Sequence, residues 1–208
     1  MKRALATIAA LALFTLIGSP VSGHDWSSVA KKVMAASFPL TTASGDIFCT
    51  GFMINAERDY ALTAAHCVPE RRTELGALAD GQPVVIEWAE EELDVAVLRV
   101  PNKRPALKPY FGVLAAGQEM ASYGFAREAG LYSHFRIGNL AAVYAEVNPL
   151  PGLWIVTDQP FIGGMSGGPV VDTHSRVIAQ VQRSDRALTG IGKSVGEIWR
   201  STRKYWGS

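Results

Sequence analysis

The segment Gly163-Gly164-Met165-Ser166-Gly167-Gly168-Pro169 decides how this chain is read. Its serine has a pair of glycines close on each side. Glycine is used where the backbone takes φ > 0 or approaches another group closely. A serine held in such a loop can present its Oγ, while neighbouring N–H groups point at an anion. By itself the heptapeptide is also readable as an ordinary glycine-rich turn. Two stretches upstream bear on the choice: Ala64-Ala65-His66-Cys67 and Asp94-Val95-Ala96-Val97-Leu98.

Composition sets the frame around this loop. The chain has 208 residues, 48% hydrophobic and 19% charged, which is a globular composition. A formal net charge of +1 offers no bulk electrostatic case for nucleic acid or an anionic membrane. At the N-terminus, Lys2-Arg3 precede an uncharged apolar run from Ala4 to Ile17, broken by Gly18-Ser19-Pro20. Small residues follow in Val21-Ser22-Gly23, and residues 1–23 read as a secretory signal peptide cut near Gly23. The run is shorter than the roughly 20 residues of a spanning helix. The mature protein is therefore expected to be soluble and exported, to the periplasm or outside the cell, with no membrane association after cleavage. In an oxidising compartment the two cysteines, Cys49 and Cys67, most simply form one disulfide; two buried free thiols are the other reading. Cysteines and histidines show no metal-ligand spacing, and neither metal nor cofactor is expected.

Hydrophobic patterning points to an all-β protein. A short helix is expected between residues 24 and 37, with Val29, Val33 and Met34 inward and Phe38-Pro39 ending it. Residues 47–55, interrupted at Gly51, and 60–63 form a hairpin about the turn Glu57-Arg58-Asp59. After a polar loop over 69–81 come a β-rich stretch at 83–88, the solvated run Glu90-Glu91-Glu92, and a strand over 93–100. That strand carries Asp94 at its head, either as turn chemistry or as a functional carboxylate. Residues 101–109, with three prolines, read as a linker. Short strands follow at 119–123, 135–143, 154–157, 169–171 and 177–181, a barrel or sandwich pattern. From Lys193 to Trp206, near-helical spacing of Val195, Ile198, Trp199 and Trp206 predicts a C-terminal helix packed on the body. Among the remaining polar residues, His24 is expected to be flexible, His134 structural or exposed, His174 part of a solvated turn, and Asp158 structural.

The three motifs together have a chemical meaning that none has alone. Acyl transfer by serine needs a base for the hydroxyl proton, an acid that orients the base, and fixed donors for the oxyanion. His66, Asp94 and Ser166 supply those types, in that order along the chain. Thr63-Ala64-Ala65-His66-Cys67, Asp94-Val95-Ala96-Val97-Leu98 and Gly164-Met165-Ser166-Gly167-Gly168-Pro169 resemble the trypsin-like, chymotrypsin-fold serine proteases. The resemblance runs from about Val33 to Ile198. Thr157-Asp158 and Gly190-Ile191-Gly192 are most similar to the bacterial Deg-type branch, whereas the histidine motif is more like the trypsin branch.

The resemblance implies two antiparallel six-stranded β-barrels and a C-terminal helix, with His66 and Asp94 on the first barrel and Ser166 on the second. The expected division is 24–105, 106–192 and 193–208. Ser166 would be the nucleophile, His66 the general base and Asp94 its orienter, with the N–H groups of Gly164 and Ser166 as the oxyanion hole. Cys49 and Cys67 would match the disulfide that braces the histidine loop. Phe161, Ile162 and Gly163 would line the S1 side of the cleft, joined by the segment from Gln180 to Gln182. The partner implied is a protein or peptide substrate.

Departures from the pattern matter. Met165 stands where digestive members carry the aspartate that pairs with a freshly cut N-terminus, and no Ile-Val-Gly-Gly-like start is present. Activation of that kind is not expected. Pro160, six residues before the serine, is not an acid, so a preference for Lys or Arg at P1 has no basis and an apolar or small P1 residue is expected. No PDZ module follows, so the regulated assembly of the Deg branch is not implied. The function expected is a secreted serine endopeptidase. The competing reading is a catalytically silent protease-fold protein that binds a partner. An α/β-hydrolase esterase fits the Gly-x-Ser-x-Gly spacing but needs its histidine well after the serine, and only His174 follows.

Overall fold

The computed structural model of the chain describes residues 24–68, 78–79, 81–101, 103–127, 133–144, 153–185 and 189–207. The signal-peptide reading of residues 1–23 and most of the 69–81 loop lie outside them. The described part is mostly β, in two lobes. In the first, β1 (Ser37–Thr41), β2 (Ile47–Asn55), β3 (Tyr60–Thr63), β4 (Leu78–Ala79), β5 (Gln82–Pro83), β6 (Val85–Glu90) and β7 (Val95–Arg99) form an antiparallel sheet. Its order is β5-β4-β1-β2-β3-β7-β6. In the second, β8 (Glu119–Phe125), β9 (Ser133–Tyr144), β10 (Trp154–Thr157), β11 (Pro169–Val171), β12 (Val177–Asp185) and β13 (Thr189–Ser194) close into a barrel.

The second lobe matches the expected six-stranded barrel. The first lobe differs in strand count, as a seven-stranded sheet in which β4 and β5 are two residues each. Besides the two-residue strands β4, within the stretch read as a loop, and β5, two longer strands were not legible in the pattern. β1 follows directly on the helix, and its Pro39 sits opposite Thr50, where the lack of an N–H is tolerated. β13 contains Gly190 and Gly192 and reads as a turn in isolation. β2 runs unbroken through Gly51.

Helix α1 (Trp26–Ala36) starts at Asp25, whose carboxylate accepts from the N–H groups of Ser27 and Ser28 at 3.1 and 3.3 Å. The Ser27 hydroxyl, which donates to Asp25 Oδ1 at 2.8 Å, and then the Ser28 N–H hold the Asp25 carboxyl below its ordinary range. Val29 and Val33 are buried as expected, but Met34 is 45% exposed, because the inward stripe passes to Ala36 instead. His24, expected to be flexible, places Nε2 3.3 Å from Glu119 Oε2. Helix α2 (Val195–Thr202) begins later than the predicted Lys193, since Lys193 and Ser194 end β13 and Ser194 caps the helix through Gly196 N–H. A 3-10 turn over Arg203–Tyr205 follows.

The core that joins the lobes draws on both helices and on strands of both lobes. Val29 and Val33 from α1, Phe52 and Ile54 from β2, Tyr123 from β8 and Ile198 from α2 belong to one buried cluster. Each such apolar side chain contributes about 1.5–3 kcal/mol by leaving water. The tail is tied in by Gly207 N–H to Ile54 O at 2.9 Å and by the Tyr205 ring edge-on to Tyr60 at 5.1 Å. The linker is equally bound: Leu107 N–H donates to Met53 O at 2.9 Å, and Tyr110 N–H and Lys108 O both pair with Val177 at 2.8 Å. Each lobe also has its own core, around Phe38, Leu40 and Leu98 in the first and Met120, Ile155 and Ile178 in the second.

Cys49 and Cys67 are joined as a disulfide, with Cα atoms 6.1 Å apart and a sequence separation of 18. Closing a loop of that length is worth about 3 kcal/mol in the chain-entropy model. Replacing both cysteines with serine is expected to lower the unfolding free energy by about that much, read as a lower urea midpoint with a steeper slope, because the denatured chain without the cross-link exposes more surface.

Candidate active site

Asp94 reaches its place through a turn. Its N–H donates to Glu91 O at 3.0 Å, and its φ is +53°, the left-handed region that Asp tolerates better than most residues. The residue that closes the turn before β7 also aims its carboxylate at His66. Asp94 Oδ2 and Oδ1 lie 2.8 and 3.0 Å from His66 Nδ1, and Oδ1 accepts the His66 backbone N–H at 2.9 Å. The carboxylate therefore holds both the ring and the main chain of the 3-10 turn Ala65–Cys67. An Nδ1–H tautomer leaves Nε2 as the basic nitrogen.

The serine loop lies against this turn from the other lobe. Thr50 in β2 is fully buried and makes the junction. Its N–H donates to Ser166 O at 2.9 Å, and its hydroxyl donates to Gly164 O at 2.8 Å while accepting Phe125 N–H at 2.9 Å. Thr63 Oγ1 donates to Thr50 O at 2.9 Å. Gly164 has φ +94° and Gly167 φ +84°. A Cβ on Gly164 would run into Phe125 O and Arg127 N, and one on Gly167 into Thr63 Oγ1 and Thr50 O. The glycines flanking the serine are required by these contacts as well as by their φ.

Of the loop N–H groups, Met165 donates to Ile162 O, Gly168 to Met165 O and Gly167 to Val181 O in β12. Those of Gly164 and Ser166 donate to no other described residue. Two unused donors two residues apart beside a serine suit a developing oxyanion. Met165 is fully buried, in the cluster with Ile155, Val170 and Ile178, so its side chain anchors the loop in the barrel core.

The Ser166 hydroxyl donates to Gln182 O at 3.2 Å, and no hydrogen bond between it and His66 is present among the described residues. Gln182 also donates through Nε2 to Asp94 O at 3.0 Å and to Gln180 Oε1 at 3.1 Å. One residue thus touches both Asp94 and Ser166. The adjoining cleft, about 430 Å³, is lined by Ala65, His66, Glu91, Asp94, Trp154, Gln182 and Arg183. Of the residues predicted to line a substrate pocket, Gln182 borders this cleft. Gln180 is fully buried behind it, with Nε2 3.4 Å from Gly167 O. Phe161 is buried beneath the loop, Ile162 is half-buried and Gly163 exposed. Asp158 ties the start of the loop to β9, accepting from Asn139 N–H at 2.8 Å and Nδ2 at 3.0 Å.

The sequence reading missed Thr50 and Lys193. Lys193 is fully buried in β13, with Nζ 4.2 Å from the centroid of the Trp154 ring that walls the cleft. Burial lowers its pKa from the ordinary value, while the carboxylates of Glu197 and Asp94 pull it back up. Near Cys49, Cys67 and His66 the donor atoms cluster as a metal site would, but the disulfide occupies both sulfurs.

A model of the trypsin-like peptidase domain matches residues 49–179. The chain belongs to the trypsin-like peptidase family. Solved structures agree on the chymotrypsin-like fold. The active form of the Rv3671c protease from M. tuberculosis superposes with a TM-score of 0.72 at 19% identity, over 98% of this chain and 96% of that one. Deg5 gives a TM-score of 0.68 at 16% identity, covering 84% and 90%. The HtrA-type protease AlgW with a tripeptide gives 0.71 at 18%, covering 86% and 62%. No curated protein matches the sequence. The Deg-type resemblance seen in the motifs agrees with these neighbours.

Two expectations follow from the geometry. Thr50→Val keeps the shape but leaves Phe125 N–H and Gly164 O buried without their partner, which costs about 1–3 kcal/mol for each group. Its urea midpoint is expected to fall and kcat to drop more than KM rises. For Lys193, the folded value lies below the unfolded one, so the unfolded chain binds more protons and stability rises with pH toward the ordinary value of 10.5. Lys193→Met is expected to be more stable at neutral pH and to lose that rise, read by urea titration across the interval.

Proposed function

We propose that the chain is an exported serine endopeptidase working through His66, Asp94 and Ser166. The observation that carries this reading is the pairing of His66 Nδ1 with the Asp94 carboxylate at 2.8 Å, beside a serine loop with two unused N–H groups. Ser166 Oγ leaves Gln182 O and attacks the scissile carbonyl as His66 Nε2 takes its proton. The developing oxyanion is held by the N–H groups of Gly164 and Ser166; losing one such donor costs about 3–4 kcal/mol of barrier. His66 then gives the proton to the leaving amine, and the acyl-enzyme is hydrolysed by water activated in the same way. Asp94 holds the imidazole tautomer and stabilises its cation.

In this reading residues 24–105 carry His66 and Asp94, residues 106–192 carry Ser166, and the segment 193–208 closes the fold. Phe161, Ile162 and Gly163 form the S1 side. The Phe161 ring packs toward Gly190, where a Cβ would come within 2.7 Å of it. A filled S1 of this kind, with Pro160 in place of an acid, favours small or apolar P1 residues. Peptide-library profiling is expected to show cleavage after such residues and no enrichment of Lys or Arg. Export rests on the N-terminal signal pattern and the Cys49–Cys67 disulfide. None of the described helices is long and apolar enough to cross a membrane.

The silent binding protein is favoured by one observation, the Ser166 hydroxyl bonded to Gln182 O rather than to the imidazole. Catalytic hydrogen bonds are often loose before substrate is bound. A fluorophosphonate probe separates the two readings. Covalent labelling of Ser166, and a loss of at least about four orders of magnitude in turnover for Ser166→Ala with folding intact, is the result expected. An unlabelled, correctly folded protein would make it a binder.

A further inference from the structure

A second concavity, about 470 Å³, shares no lining residue with the cleft. It lies where α1, the linker and the turn between β11 and β12 meet. Its apolar surface comes from Ala35, Ala106 and Leu107, and its rim from Lys31, Lys32 and Lys108. All three lysines are exposed, and among the described residues none has a carboxylate within ion-pair distance. Arg176 also borders the groove, but its guanidinium is held by Asp172, with Nε and Nη2 at 2.7 and 2.6 Å from Oδ2. His174 lies beside it, with Nδ1 on its neighbour Thr173. The nearest acid along α1 is Asp25, occupied as the helix cap. Lys31 lies near enough to Asp25 for its charge to act on that carboxylate, yet three exposed lysines around one hollow remain a local excess on a chain of net charge +1.

Ser175 supplies an independent observation. It lines the same groove, is 7% exposed, and its Oγ has no hydrogen-bond partner. The turn holds it in the left-handed region, φ +66°, with its N–H on Asp172 O at 3.1 Å. Asp172 Oδ1 accepts the N–H groups of His174 and Arg176, both at 2.9 Å, so the turn is braced without the serine hydroxyl. A buried hydroxyl without a partner is costly, and rotation of the short Ser175 side chain toward the groove it lines is what would let an acceptor from outside reach Oγ.

We propose that this groove docks an acidic peptide segment of another protein, with an apolar side chain over Leu107 and Ala106, carboxylates at Lys31, Lys32 and Lys108, and an acceptor at Ser175 Oγ. The apolar floor is the reason for choosing a peptide over a small anion, since an inorganic ion has no use for it. The concavity is the reason for choosing a peptide over a membrane surface, which needs a protruding patch. Docking here does not depend on the peptidase reading, since the groove contains none of its residues.

The test is fluorescence anisotropy of a labelled Glu-Glu-Leu-Glu-Glu peptide titrated with the Ser166→Ala chain, which cannot consume the probe. Binding that weakens with salt is expected, with a roughly tenfold loss for the triple variant Lys31→Gln, Lys32→Gln, Lys108→Gln. Ser175→Ala is expected to weaken it by about threefold, whereas Arg183→Gln at the cleft leaves it unchanged. The lysines are exposed, so the triple variant should melt like the parent. Equal binding by the triple variant, or equal binding of a Gln-Gln-Leu-Gln-Gln peptide, would overturn the assignment. So would capture of the chain by phosphatidylglycerol vesicles through the same lysines without peptide binding, which would assign the patch to a membrane.

Discussion

Thr50 is the constraint on which the geometry of the candidate site depends. Its N–H, its carbonyl and both capacities of its hydroxyl are engaged, and three of those four bonds cross between the lobes. Pro39, opposite it in β1, has no N–H to compete for the carbonyl. Its neighbour Cys49 is bonded to Cys67, the residue after His66. A single stretch of β2 therefore sets where the histidine turn and the serine loop stand relative to each other. In a buried, low-dielectric junction these bonds are worth more than at the surface, and each is costly to leave half-made.

The serine loop is held by apolar packing where digestive relatives use an ion pair. Met165 in the barrel core and Asp158 on Asn139 both fix the approach to Ser166 from its N-terminal side. Charge is instead placed at the margins of the cleft. Lys193, buried behind Trp154, lies close enough to Asp94 and Glu197 for their fields to act on it. Gln182 bridges the carboxylate and serine sides through two different parts of the same residue.

Much of the fold was legible because burial imposes period and punctuation on the chain. β2, β3, β10 and β11 have the limits expected from their apolar runs. The strands that escaped notice lack that signal: β1 is five residues with a proline inside, β4 and β5 are two residues each, and β13 alternates glycine with larger residues. Their status comes from the partners they pair with. The same contrast holds at the site. His66, Asp94 and Ser166 stand in local motifs that can be recognised one at a time. Thr50 and Lys193 sit in stretches whose residue types say nothing about their distant partners, Gly164, Phe125 and Ser166 for Thr50 and Trp154 for Lys193.

The sequence by itself determined the family, the all-β class, the three motifs and the cysteine pair available to brace them. These are carried by residue type and short-range spacing, which act before the chain folds. Only the tertiary structure decided that Asp94 grips both the ring and the backbone of His66, that Ser166 rests on Gln182 O, and that three lysines and an unpartnered serine surround one hollow. Those are relations between distant segments, and packing of the two lobes on a common core is what brings them within bonding range.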